Sequence, residues 1–222
     1  PLIEQLPDGV EVITIEYPRD KLLDNDTLVA LVEDRVPLGK PHVVVAESFS
    51  GPIAVRYACQ RQRDVKALVL CGSFLKNPLP TALQALPLVA NSMVFALPMP
   101  APMARTFLVG LDAGPNLIRK VQEAVAAVQS GVLAAGVRPL ATVDVSEQCR
   151  QLEMPVLYLQ ASNDRLVGLR GAEQVKRSLP RADIRQIEAP HLMLQTRPSE
   201  AINAIATFLK ETYKLQDSTP AS

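Results

Sequence analysis

His42-Val-Val-Val-Ala-Glu-Ser-Phe-Ser-Gly-Pro52 joins two local signals with no loop between them. Three consecutive valines and Ala46 form a compact apolar, β-branched run, which predicts a buried strand. Pro52, a residue favoured in a helix's first turn, opens the segment Gly51 to Gln60, where Ile53, Ala54, Tyr57 and Ala58 share one stripe. Ser48 therefore falls on a sharp strand-to-helix turn. Side chains two places before and after a serine so placed collide unless they are small, and Ala46 and Ser50 are both small. The helix N-terminus behind the turn supplies positive potential, and the main-chain N–H of Phe49 is the candidate donor to an oxyanion forming beside Ser48. The rival reading makes Ser48 an ordinary helix N-cap. Small-x-Ser-x-small is common by chance, so the context of strand and helix carries the weight.

Similar apolar runs recur at Val12 to Tyr17, Lys66 to Cys71, Pro155 to Gln160 and Asp183 to Ile187. Helical patterns lie between them: Asp26 to Val36, Gly171 to Leu179 and Ser199 to Tyr213. Strand alternating with helix predicts an α/β fold, a mostly parallel sheet with helices on both faces. Gln216 to Ser222 reads as a disordered tail.

In such a sheet, ligands gather at the carboxyl ends of the strands. Asp164 lies just beyond the run ending at Gln160, and His191 follows the run ending at Ile187 through Glu188-Ala-Pro190. A serine hydroxyl is a weak nucleophile at neutral pH and needs an imidazole base oriented by a carboxylate. The chain has two histidines, and His42 opens its strand at the end opposite Ser48, leaving His191 as the candidate base. Gly72, Ser73 and Phe74 offer no carboxylate after the preceding strand, which leaves Asp164 as the candidate acid. Alone, Asp164 in an Asn-Asp pair is equally a turn former.

The bulk composition narrows the alternatives. Twenty-three basic and twenty-three acidic residues leave no net field to attract nucleic acid or an anionic membrane. Cys59, Cys71 and Cys149 are an odd number at wide spacing and read as free thiols of a reducing, cytoplasmic setting. Two histidines do not suggest a metal centre, and no cofactor motif is present; a small-molecule substrate is the expected partner.

One segment breaks the alternation. No charged residue lies between Lys76 and Arg105, and Pro78, Pro80, Pro87, Pro98, Pro100 and Pro102 divide it. Its longest proline-free piece has ten residues, short of the roughly 20 a membrane helix needs. An apolar lid of short helices, a membrane-skimming surface, a dimer contact or an ordinary packed insertion all fit. Met93, Phe95, Met99 and Met103 are the candidate substrate-contacting residues, since thioethers adapt to varied apolar shapes; plain core is the alternative. Asn116 to Gly131 is helical by pattern.

On Ala46-Glu-Ser-Phe-Ser-Gly-Pro52, Asn163-Asp-Arg-Leu-Val167 and Ala189-Pro-His191 with Pro198, the chain resembles the α/β-hydrolase superfamily over nearly its whole length. The order Ser48, Asp164, His191 matches the order of that superfamily's triad. The resemblance implies a core of residues 1–73 and 151–222 with a helical cap, 74–150, inserted between. It also implies hydrolysis of a carboxylic ester, or a thioester, through an acyl-Ser48 intermediate without a cofactor. A non-catalytic binding protein on the same fold and an acyltransferase are the alternatives. Ala46 and Ser50 stand where the superfamily has glycines. Nothing before Val12 matches the loop that supplies its second oxyanion donor, so the chain is expected to be an N-terminally incomplete version of a longer protein.

Overall fold

The computed structural model describes residues 2–21, 23–79, 81–85, 88 and 92–217. Four strands form one sheet in the order β1 (His42–Glu47), β2 (Val65–Cys71), β3 (Val156–Ala161) and β4 (Asp183–Ile187), every neighbouring pair parallel. Each begins within a residue of the position its apolar pattern predicts.

Alternate residues of these strands serve two cores, as the two-residue period of a strand requires. Leu68, Leu70, Val156 and Tyr158 pack with Ile53 and Val55 of α2 (Ser50–Gln60) and with Leu28 and Val32 of α1 (Asn25–Arg35). Ala67, Val69, Cys71, Leu157 and Leu159 face the other way, toward Ala201 and Phe208. Both of these belong to α10 (Pro198–Asp217), which runs through Gln216 and Asp217, part of the stretch expected to be a disordered tail; residues 218–222 lie outside the described residues.

Val12 to Tyr17 forms no strand, contrary to its pattern. A strand exists through its ladder, and among the described residues β1 pairs only with β2. Without a partner the segment stays irregular: Val12 and Ile13 are exposed, while Ile15 and Tyr17 lean on the first core.

Between β2 and β3 lie α3 (Ser92–Phe95), α4 (Ala101–Met103), a π-helical turn (Ala104–Val109), α5 (Pro115–Ala126), α6 (Ser130–Val137) and α7 (Ser146–Arg150). The helical stretch expected over Asn116 to Gly131 is two helices, with α6 and its short continuation to Ala141 bent 91° from α5. Ala104, Val109 and Ile118 form a small core of their own. Val145 and Cys149, by contrast, pack in the first core of the sheet. No single helix among the described residues is long and apolar enough to cross a membrane. α8 (Leu169–Ser178) and α9 (Met193–Thr196) flank β4 in sequence.

Candidate active site

Because all four strands run parallel, their carboxyl ends share one edge of the sheet. Ser48 follows β1 directly with φ of +55°, the only positive φ outside glycine among the described residues. A left-handed backbone costs an L-residue about 1–2 kcal/mol, so the turn is held from several sides. The Ser48 N–H donates to the Cys71 carbonyl at 3.0 Å, its carbonyl accepts the Gly51 N–H at 3.0 Å, and the same carbonyl accepts the buried Ser73 hydroxyl at 2.8 Å.

The acid loop follows β3. Asp164 Oδ1 accepts the main-chain N–H groups of Leu166 at 2.8 Å and Val167 at 3.1 Å, leaving Oδ2 to face the imidazole. The histidine loop follows β4 and is joined to the acid loop by the Asn163 N–H on the Ala189 carbonyl, 3.0 Å. These loops bring the three predicted side chains together. His191 Nδ1 lies 2.9 Å from Asp164 Oδ2, and His191 Nε2 lies 2.7 Å from Ser48 Oγ.

The imidazole and the carboxylate are almost fully enclosed, at 3% and 1% exposure. Burial pushes the Asp164 carboxyl upward, but the hydrogen bond and charge of His191 with the Leu166 and Val167 N–H groups outweigh it and hold its pKa below the ordinary aspartate value. An ionised Asp164 accepting from Nδ1–H leaves Nε2 free to accept the Ser48 proton, the tautomer that base catalysis requires. Gly72, φ +49°, lies beneath this pair: a Cβ there would come within 3.3 Å of the His191 carbonyl and 3.5 Å of Asp164 Oδ2.

Phe49, the candidate oxyanion donor, stands at the start of α2 in helical conformation. Its ring meets Tyr17 edge-on at 6.4 Å, and the Tyr17 hydroxyl donates to Ser50 Oγ at 3.2 Å. Ser50, which occupies a position where glycine is usual, thus has a partner of its own. The four candidate lid residues are dispersed. Met93 is 81% exposed and Met103 49%, Phe95 is half-buried, and Met99 packs against the small core of Ala104, Val109 and Ile118. That core reaches the histidine loop, since Leu192 packs on it and the Leu192 N–H donates to the Leu108 carbonyl at 2.9 Å. Pro80 and Pro87 of the charge-free run lie outside the described residues.

Three residues of this neighbourhood escape a reading by sequence. Ser73 holds the Ser48 carbonyl, Tyr158 donates from its hydroxyl to the Ser73 carbonyl at 2.7 Å, and Glu47 accepts the Leu194 N–H at 2.9 Å. A carboxylate closing an otherwise apolar strand was the available signal for Glu47. Cys71, fully buried on β2, has its thiol pushed well above its ordinary pKa by burial and by the charge of Glu47; burial raises that of Cys149 to about 11.

A parallel sheet that presents serine, carboxylate and imidazole at one edge, from the loops after β1, β3 and β4, is the arrangement of an α/β-hydrolase. The chain belongs to the serine aminopeptidase S33 family, whose sequence profile matches residues 14–193. Solved structures of this fold resemble it closely in backbone and distantly in sequence. A thermophilic esterase from Thermogutta terrifontis superposes with a TM-score of 0.70 at 18% identity, covering 86% of this chain and 74% of the esterase. The enol-lactonase from Burkholderia xenovorans gives 0.67 at 13% identity, covering 85% and 74%. MenH from S. aureus gives 0.66 at 16%, covering 88% and 79%. No curated protein matches the sequence. Family and fold together make the chain a hydrolase of the α/β-hydrolase type.

Proposed function

We propose that the chain is a serine hydrolase that cleaves a carboxylic ester, or a thioester, of an uncharged acyl substrate through an acyl-Ser48 intermediate. The observation that carries this reading is the unbroken hydrogen-bonded row Asp164 Oδ2, His191 Nδ1, His191 Nε2, Ser48 Oγ. In the first half-reaction Ser48 Oγ attacks the carbonyl carbon while Nε2 takes the hydroxyl proton, and Asp164 holds the resulting imidazolium. The Phe49 N–H and the positive end of α2 stabilise the oxyanion. Collapse of the tetrahedral species breaks the bond to the leaving alcohol or thiol, which receives the proton from Nε2. Water, deprotonated by the same nitrogen, then attacks the acyl-serine and releases the acid.

The choice of ester over amide draws support from the esterase and the lactonase among the structural neighbours and from the charge-free segment 77–104. To the described part of that segment we assign a lid over the acyl group, with Met93, Phe95, Met99 and Met103 as contacts that gather on the substrate when it binds.

Labelling with a fluorophosphonate, which phosphonylates activated serines, tests the mechanism. Wild type is expected to label at Ser48 and S48A not at all; an unlabelled, folded wild type refutes it. Turnover of p-nitrophenyl esters of rising chain length, set against aminoacyl p-nitroanilides, tests the substrate class. Preference for the anilides overturns the ester reading.

A further inference from the structure

Glu47 has no part in the mechanism above, yet it is the residue next to the nucleophile, and its carboxylate reaches the other side of the site. Oε1 accepts the Leu194 N–H at 2.9 Å, and the nearby Met193 N–H and Gln195 side chain favour the ionised carboxylate as well. Leu194 lies in the turn that follows His191, where the buried Gln195 Oε1 has no hydrogen-bond partner. The strand that ends in the nucleophile is thereby fastened to the loop that carries the base. This link is independent of the one through Asp164, which lies on the loop after β3.

We propose that Glu47 is a positioning residue: it holds the turn after His191 against β1 so that Nε2 stays in register with Ser48 Oγ, and its negative charge stabilises the imidazolium formed during acylation. The proposal rests on the serine-hydrolase reading.

The burial of the Glu47 carboxyl argues for a role of the charge as well as the shape. Burial pushes the Glu47 carboxyl upward, only partly offset by the Leu194 N–H, the Gln195 side chain, the His191 charge and the Met193 N–H, so its pKa stands above the ordinary glutamate value. The fold therefore carries the ionised group at a cost to stability. A glutamine of the same shape accepts the Leu194 N–H equally well without that cost. The titratable groups facing Glu47 are His191 and, across the β1–β2 pair, Cys71, whose thiol stays protonated through the neutral range. Asp164 lies beyond the imidazole.

The test is the rate of fluorophosphonate labelling of Ser48 as a function of pH in wild type, E47Q and E47A, with melting temperatures measured alongside. E47Q keeps the acceptor and loses the charge. Its acid limb is expected to move to lower pH, because the imidazolium is less stabilised, and its plateau rate to fall, while it melts no lower than wild type. E47A loses the acceptor too and is expected to label roughly tenfold to a hundredfold more slowly, the order that a misplaced catalytic group costs. Should E47A not fold, E47Q alone decides. An E47Q protein that labels at the wild-type rate with an unmoved acid limb overturns the proposal and leaves the serine mechanism standing. A wild type that does not label sinks both.

Discussion

Replacing Gly51 by alanine probes the packing that holds the Ser48 turn. Gly51 is buried in the first turn of α2, and a Cβ there would lie 1.6 Å from Ser73 Oγ and 2.7 Å from Ser73 Cβ. Rotating the Ser73 hydroxyl away relieves the first contact and breaks its 2.8 Å bond to the Ser48 carbonyl. The Ser48 carbonyl keeps the Gly51 N–H, but the buried hydroxyl is left unpaired, which costs about 1–3 kcal/mol. No rotation relieves the second contact, since a Cβ is fixed to its backbone; moving β2 and α2 apart costs about 1–3 kcal/mol more. G51A should thus lose roughly 2–6 kcal/mol, a fall in Tm of about 4–24 °C for a chain of this length. Denaturant unfolding and thermal melts measure the loss, and slowed Ser48 labelling should accompany it. Adding S73G removes both clashing atoms and should restore the steric share but not the hydrogen bond, whereas adding S73A, which keeps the Cβ, should restore little. A G51A protein as stable as wild type would refute this account of the turn.

The left-handed backbone of Ser48 predicts that S48G is more stable than S48A by about 1 kcal/mol, though both are inert to the fluorophosphonate; equal denaturation midpoints contradict the strain. H191A should lower ester turnover by on the order of 10⁴-fold or more, with D164N losing less because the imidazole remains, if in the wrong tautomer; a fully active H191A removes the mechanism. The folded pKa of Asp164 is depressed, so its contribution to stability is complete above the unfolded aspartate value of about 3.9 and disappears as pH falls through the folded value. The difference in Tm between wild type and D164N should be full at neutral pH and shrink in strong acid, a trend that melts at a series of pH values will show or exclude.

Local patterns made most of the architecture legible. Val43 to Val45, Leu68 to Leu70 and Leu157 to Leu159 announce buried strands because a strand's period and apolarity are written in consecutive residues. The positions of Ser48, Asp164 and His191 followed from one further rule, that the ends of parallel strands share an edge. What escaped depends on pairing across distance. Val12 to Tyr17 has the composition of a strand, but only the three-dimensional arrangement says whether a neighbour exists to complete its ladder. Glu47 reads as an ordinary polar residue until Leu194, 147 positions later, is seen to donate to it. Ser73 is equally mute, because its task is defined by the carbonyl it meets. The break between α5 and α6 was missed for a different reason: Ala127 to Gln129 contains neither glycine nor proline to mark it.

The enclosed thiols have a practical bearing on chemoselectivity. Cys71 and Cys149 are buried thiols, each kept protonated by its surroundings, and of the three cysteines only Cys59 retains partial access. Electrophilic warheads that discriminate poorly between oxygen and sulfur should therefore report on the hydroxyl alone at this edge of the sheet, and a protective alkylation step before screening becomes unnecessary there.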